Sequence, residues 1–250
     1  MVELIISEKP SQAAKIAEAL ADTKPKKIVE DKVSYYELIH NGKKIFVGCA
    51  VGHLFNLREK NKKGWTYPVF DTEWVESYKI NKNSDFTKKY IDVLSKLAKK
   101  SNEFVVACDY DLEGSLIGYN VLKFIANKKD GKRMKFSTLT KEELRESYEN
   151  ASKHLDFHLI ESGEARHIID FYFGINLSRA LTLSIKNATK SFKILSSGRV
   201  QGPILKLLAE REIEIQKFKP KPFWELEALG DVTAQHKNGK FWEEKEVKKI

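Results

Sequence analysis

Asp109, Asp111 and Glu113 stand two residues apart, after the apolar run Phe104-Val105-Val106-Ala107-Cys108 and before Gly114. Carboxylates this close repel one another unless a cation shares them. Hard oxygen ligands suit magnesium, which binds through a few carboxylates, several waters and substrate phosphate. A short valine-rich run without polar alternation reads as a buried parallel strand. Acids just past its C-terminal end fall where open α/β sheets bind ligands. A calcium loop is excluded, because its twelfth position would be Asn120 rather than Glu and a strand rather than a helix precedes it. A plain polar turn is the alternative that this pattern leaves open.

Glu8 and Lys9 form the second chemical pair. They follow the apolar stretch Leu4-Ile5-Ile6 and precede Pro10-Ser11, which open a helix. Neighbouring parallel strands end side by side, so Glu8 could join Asp109, Asp111 and Glu113 at one sheet edge. In such a cluster one carboxyl takes a raised pKa and becomes a general acid, while Lys9 offers a compact charge to a phosphate oxygen. The simpler reading of Glu8 to Ser11 is a helix start alone.

A third set could hold a nucleic-acid backbone. Arg166, Arg179 and Arg199, with Asn176, Ser178 and Gln201, supply forked and neutral donors suited to phosphate and sugar. Gly198 permits close approach of backbone to a phosphate next to a helix N-terminus. His53 follows a glycine in Gly52-His53-Leu54. His154 and His158 lack a third ligand nearby and read as surface residues. Trp65, Tyr67, Phe70 and Trp74 could stack bases, but read first as aromatic packing of a long loop. No Gly-x-x-x-x-Gly-Lys-Ser/Thr loop occurs, which excludes an ATP site of that class.

The elements that must position these groups alternate. A strand at 3–7 leads to a helix with apolar Ala13, Ile16, Ala17 and Leu20. Residues 33–39 and 44–51 pair through Asn41-Gly42, and a loop carries 52–74. A helix with Leu94 and Leu97, the strand at 103–108, a helix from about Gly114 to Ile125 and a strand at 136–139 follow. Thr140 and Glu143 form a capping box for the next helix. The order argues for an α/β domain, a mostly parallel sheet flanked by helices, over 1–150. Residues 151–219 read as several helices, one from Val200 to Lys217. The Pro-rich 219–222 segment opens a β-rich piece over 220–250.

Lysine and arginine outnumber acids, giving +9 and a pI near 9.2. Lysines recur in clusters, at 60, 62 and 63, at 128–135 and at 217–221, and make nucleic acid the leading partner. No stretch reaches the length of a membrane span, and the amino terminus has no cleavable leader. The expected place is inside the cell. Cys49 and Cys108 each end an apolar run and read as buried reduced thiols.

The opening Ile5-Ile6-Ser7-Glu8-Lys9-Pro10-Ser11 and the segment Asp109-Tyr110-Asp111-Leu112-Glu113-Gly114 resemble the two signatures of a Toprim domain. Gly52-His53-Leu54, the Glu164-Ala165-Arg166-His167 to Ser178-Arg179 region, Ser197-Gly198-Arg199-Val200-Gln201 and Pro222-Phe223-Trp224 resemble, in that order, motifs of type IA DNA topoisomerases of the archaeal branch. The resemblance runs from residue 3 to about 230. It implies a Rossmann-like Toprim domain, an all-α DNA-binding domain over 151–219 and the first strands of a β-arch. It further implies transient cleavage of one DNA strand through a 5′-phosphotyrosyl link. Glu8 would protonate the departing 3′-oxygen and Lys9 steady the phosphate. Glu8, Asp109, Asp111 and Glu113 would hold magnesium, and His53, Arg166, Asn176, Ser178, Arg179, Gly198, Arg199 and Gln201 would contact single-stranded DNA. The nucleophilic tyrosine is expected in a later domain, since none of the nine here sits in an Arg-Thr frame. The chain then reads as an amino-terminal fragment or half of a split enzyme, acting in the cytoplasm at the nucleoid. Another Toprim nuclease or primase, or a non-catalytic DNA-binding module, is the alternative.

Overall fold

The computed structural model describes residues 1–62 and 64–250. Lys63, placed in a basic cluster above, lies outside the described residues. The chain divides into two compact units, Met1–Gly198 and Arg199–Ile250.

In chain order, the first unit contains β1 (Val2–Ser7), α1 (Pro10–Leu20), β2 (Lys26–Glu30), β3 (Val33–His40), β4 (Lys43–Cys49), β5 (Phe55–Glu59) and β6 (Thr72–Glu76). There follow α2 (Thr87–Lys99), β7 (Glu103–Ala107), α3 (Leu112–Phe124), β8 (Lys132–Arg133), α4 (Lys141–Glu149) and α5 (Phe157–Thr189). Six strands form one sheet in the order β2-β3-β4-β1-β7-β8. β1 runs parallel to β4 and β7, and β7 parallel to β8, while β2, β3 and β4 are antiparallel.

The central strands are apolar through Leu4-Ile5-Ile6 and Phe104-Val105-Val106-Ala107 because both faces are covered there. Leu4, Ile6 and Val106 point to one face and pack with Leu94 and Leu97 of α2 and Leu116 and Val121 of α3. The alternate residues Ile5, Val105 and Ala107 pack with Ile16 and Leu20 of α1 and Leu144 of α4. Gly118 lets α3 lie close on the sheet: a Cβ there would stand 2.2 Å from Val106 Cγ1. At the hairpin, Asn41 and Gly42 both take positive φ, 47° and 74°, as the expected tight turn requires.

The N-terminal ends of these strands carry a charge network. Glu3, fully buried, accepts from Lys43 Nζ at 2.6 Å and from the Tyr148 hydroxyl at 2.7 Å. Glu103 accepts from Lys43 and Lys132, both at 2.8 Å.

Several expectations are corrected. The segment 52–74 contains an antiparallel pair, β5 with β6. The strand expected at 136–139 is instead β8 at Lys132–Arg133, with Met134 and Lys135 between it and the expected start. β8 is short because its partner register reaches only Val105 and Val106. Thr140 makes no side-chain cap; Glu143 turns back to accept from the Ser137 and Thr138 amides, at 2.6 and 3.0 Å, and bonds the Thr138 hydroxyl. Residues 157–189 form one helix of 33 residues, not several. It packs against α3 at Gly163, where a Cβ would meet Leu112 O at 2.8 Å. This contact joins the parts expected on either side of residue 150.

The second unit contains α6 (Gln201–Lys217), the antiparallel pair β9 (Trp224–Ala228) and β10 (Ala234–Phe241), and α7 (Glu244–Val247).

Candidate active site at the sheet edge

Ser7 of β1 pairs with Ala107 of β7, so the chain leaves the sheet at Glu8 and at Asp109 side by side. Lys9 Nζ lies 2.8 Å from Asp109 Oδ2 and 3.5 Å from Glu8 Oε1. The hydrogen bond from Lys9 holds the Asp109 carboxyl below the ordinary carboxylate value, and that same bond, followed by the Glu8 charge, raises Lys9. The two signature segments, a hundred residues apart, thus meet through a direct ion pair.

Gln12, a residue the sequence did not single out, ties this corner together. Its Nε2 donates to Asp109 Oδ1 at 2.9 Å and its Oε1 accepts from the Glu8 amide at 2.9 Å. Cys49 Sγ donates to the Glu8 carbonyl at 3.2 Å, so the Glu8 backbone is held at both polar atoms. Both cysteines are buried free thiols as expected, and burial pushes Cys49 up to about 12. Pro10 occupies the first turn of α1, where its missing amide proton costs no hydrogen bond.

Arg133, also missed, lies buried beneath the acidic turn. It donates to the carbonyls of Val106, Cys108, Met134 and Asp109, at 3.2, 2.9, 3.1 and 2.8 Å. Burial works against its charge; the ring of carbonyl oxygens compensates and fixes the end of β7. Asp111 caps α3 by accepting from the Gly114 amide at 2.7 Å. Gly114 is required there, because a Cβ would stand 2.2 Å from the Asp109 carbonyl oxygen.

Glu113 faces away from Lys9's partners toward α5. Its Oε2 lies 2.8 Å from His53 Nε2 and its Oε1 3.4 Å from Arg166, which also reaches Asp170 at 3.8 Å. His53 in turn neighbours His167 of α5, ring centroids 5.2 Å apart. An open cleft of about 450 Å³ adjoins Lys9, Gln12 and Asp109, walled on its far side by Phe136 and Leu139.

The residues expected to touch DNA are placed unequally. Arg179 is buried, donating to Glu59 Oε2 and the Thr66 carbonyl, both at 2.6 Å. Asn176 bonds Val69 through both amide atoms, at 2.6 and 3.0 Å. Ser178 exchanges hydrogen bonds with the backbone of Ser197. These three brace loops from within. Arg166 is half exposed, and Arg199 and Gln201 are exposed. A Cβ at Gly198 would meet nothing within 4 Å. The aromatic loop packs as expected: Trp74 stacks on His167, Phe70 meets Tyr172 and Trp65 meets Phe192. His154 is a surface residue paired with Asp130 and lies before α5, so it shares no helix with His158.

Residues 3–139 match the Toprim domain family, and residues 154–250 match a family described as DNA topoisomerase. The chain belongs to the type IA DNA topoisomerases. It is 52% identical over 253 residues to DNA topoisomerase 1 of Methanocaldococcus jannaschii, taking in 100% of this chain and 33% of that protein. DNA topoisomerase 1 of Pyrococcus furiosus is 48% identical over 254 residues, 99% of this chain and 24% of that protein. Full-length topoisomerase I from Thermotoga maritima superposes with a TM-score of 0.63 at 26% identity, covering 99% of this chain and 37% of that one. The chain thus spans a third or less of these two sequence relatives and corresponds to the N-terminal region of a topoisomerase. The Glu8–Asp109 corner lies within the stretch that matches the Toprim family, whose domains bind metal. No helix among the described residues is long and apolar enough to cross a membrane.

Proposed function

We propose that this chain supplies the acid, the phosphate clamp and the magnesium ligands with which a type IA topoisomerase cleaves and reseals one DNA strand. The observation that carries this reading is the Lys9–Asp109 contact at 2.8 Å, which joins the two acidic segments at one sheet edge.

The donor set suits magnesium: Glu8, Asp109, Asp111 and Glu113 offer only carboxylate oxygens, and the Lys9 ammonium between Glu8 and Asp109 shows that the corner stabilises positive charge. When bound, magnesium supplies charge that neutralises phosphate oxygens during resealing. Lys9 exchanges Asp109 for a phosphate oxygen when DNA arrives and keeps the scissile group in place. A tyrosine outside this chain attacks phosphorus, forming a 5′-phosphotyrosyl bond as the bond to the 3′-oxygen breaks, and Glu8 gives that oxygen its proton. Gln12 and Arg133 keep Glu8 and Asp109 aimed. Arg166, Arg199 and Gln201, with the Gly198 backbone and His53, contact single-stranded DNA. Asn176, Ser178 and Arg179 act from within, by bracing loops of the first unit. The division into Toprim residues 1–150, a helical part over 151–219 and the start of an arch over 220–250 describes roles within the larger enzyme. That enzyme acts in the cytoplasm on nucleoid DNA.

The test is magnesium titration by calorimetry of the chain and its Asp111→Asn variant, with fluorescence anisotropy on a single-stranded oligonucleotide. Magnesium binding should vanish in the variant, and DNA affinity should be weak and fall linearly with log salt. Unchanged magnesium affinity in Asp111→Asn overturns the metal assignment. Relaxation of supercoiled plasmid by this chain alone overturns the placement of the nucleophile elsewhere.

A further inference from the structure

We infer that His53, Glu113 and His167 form a second cation site, selective for a borderline transition-metal ion of the zinc class rather than magnesium. One ligand atom from each of the three residues lies within 4.8 Å of the other two. Donors at 2.0 to 2.2 Å from one zinc ion sit about 3.4 Å apart, so small side-chain rotations close the set. Imidazoles favour zinc, copper, nickel and cobalt over magnesium, which prefers oxygen and water. The chemistry of this cluster therefore differs from that of the all-carboxylate corner.

The imidazoles are built in rather than free at the surface. His167 Nε2 lies 3.1 Å from Asn56 Oδ1, an acceptor that places the ring proton there and leaves the Nδ1 lone pair available. Trp74 stacks on His167, with ring centroids 5.0 Å apart, and fixes its plane. His53 shows a matching deficit: Nε2 meets Glu113, while Nδ1 is buried with no hydrogen-bond partner among the described residues. Arg166, the cation that could compete, engages the other Glu113 oxygen, Oε1, and leaves Oε2 on the histidine side.

Four elements hold the group: the turn after β4, β5 with β6, the first turn of α3, and α5. Glu113 belongs both to this site and to the acidic trio. A zinc-class ion would draw its carboxylate toward α5 and out of the magnesium set. That consequence rests on the function proposed above; the binding does not.

Cobalt(II) is the probe, because nitrogen and carboxylate ligation gives visible d–d bands. Titration of the chain in millimolar magnesium should show one equivalent bound with such bands. His167→Gln and His53→Gln should each weaken binding at least about 10-fold, since even loss of an outer-shell partner costs 10–100-fold. Asn56→Ala should weaken it within that range. Asp111→Asn should keep the cobalt spectrum while losing magnesium, which separates failure of this site from failure of the proposed function. Circular dichroism reports folding of each variant. The inference is overturned if no bands appear, if magnesium abolishes them, or if both histidine variants retain them.

Discussion

Gly118→Ala tests whether the seating of α3 on the sheet sets the position of the acids. A Cβ at 118 would stand 2.2 Å from Val106 Cγ1, 3.1 Å from Cγ2 and 3.2 Å from Cβ. Ordinary carbon contact is 3.5–4.0 Å, so α3 and β7 must part by well over an ångström in a fully packed layer. Overpacking costs typically 1–3 kcal/mol, and this site belongs at the upper end. Alanine regains about 1 kcal/mol of helix propensity over glycine, which leaves a net loss of about 2 kcal/mol. Val106→Ala alone creates a cavity and costs about 1–2 kcal/mol, by analogy with other large-to-small changes of one or two carbons. In the double variant both Cγ atoms are gone and only the 3.2 Å approach to Cβ remains. The double should therefore be about 1–2 kcal/mol more stable than the sum of the singles, well outside the 0.3–0.5 kcal/mol scatter of independent sites. Urea unfolding with a shared m-value measures each corner of this cycle. Magnesium affinity should fall in Gly118→Ala, because Asp111 and Glu113 ride on the first turn of α3, and recover in the double. Additive stabilities would refute the close-packing argument.

Two other outcomes follow from different parts of the first unit. Hydrogen bonds from Lys132 and then Lys43 hold Glu103 at about 2. A carboxyl depressed in the folded state stabilises above its unfolded value near 4.3 and loses that contribution as pH falls toward about 2. The urea midpoint should drop through that window, and Lys132→Met should flatten the drop; an equal drop in the variant would count against the network. Arg179→Met leaves Glu59 buried without its partner, which should cost about 3–5 kcal/mol, read from thermal or urea unfolding. Arg179 is internal, so the salt slope of DNA binding should be unchanged. A stable variant whose slope falls by about 1 would make Arg179 a phosphate contact instead.

The parts of the fold that were legible are those where one local signal dominates. β1 and β7 carry the apolar runs Leu4-Ile5-Ile6 and Phe104-Val105-Val106-Ala107, and their parallel pairing followed from these; so did the meeting of Glu8 with the acidic turn. β5 and β6, reading Phe-Asn-Leu-Arg-Glu and Thr-Glu-Trp-Val-Glu, were hidden by their charged residues and by the twelve positions between them. β8 is two residues long and has no pattern of its own, while Phe136 and Leu139 nearby mimic one. The single span of α5 was not legible, because its apolar residues do not mark one face, and Gly163 inside it is a packing contact rather than an end. Of the site, acids and bases adjacent to strand ends could be found from chemistry. Gln12, Arg133 and His167 could not, because each acts through partners 24 to 111 positions away. His167 had one signal, its place beside Arg166 in a topoisomerase-like motif.

The length of α5 has a mechanical consequence. Thirty-three residues at 1.5 Å each make a rod of about 50 Å. Gly163 presses on Leu112, and about 20 and 24 Å farther along the axis Asn176 holds Val69 and Arg179 holds Glu59 and Thr66. A rod tied at three stations cannot tilt without breaking one of them. The height at which Arg166 meets Glu113 is therefore set by fastenings spread over half the helix, not by its own turn alone.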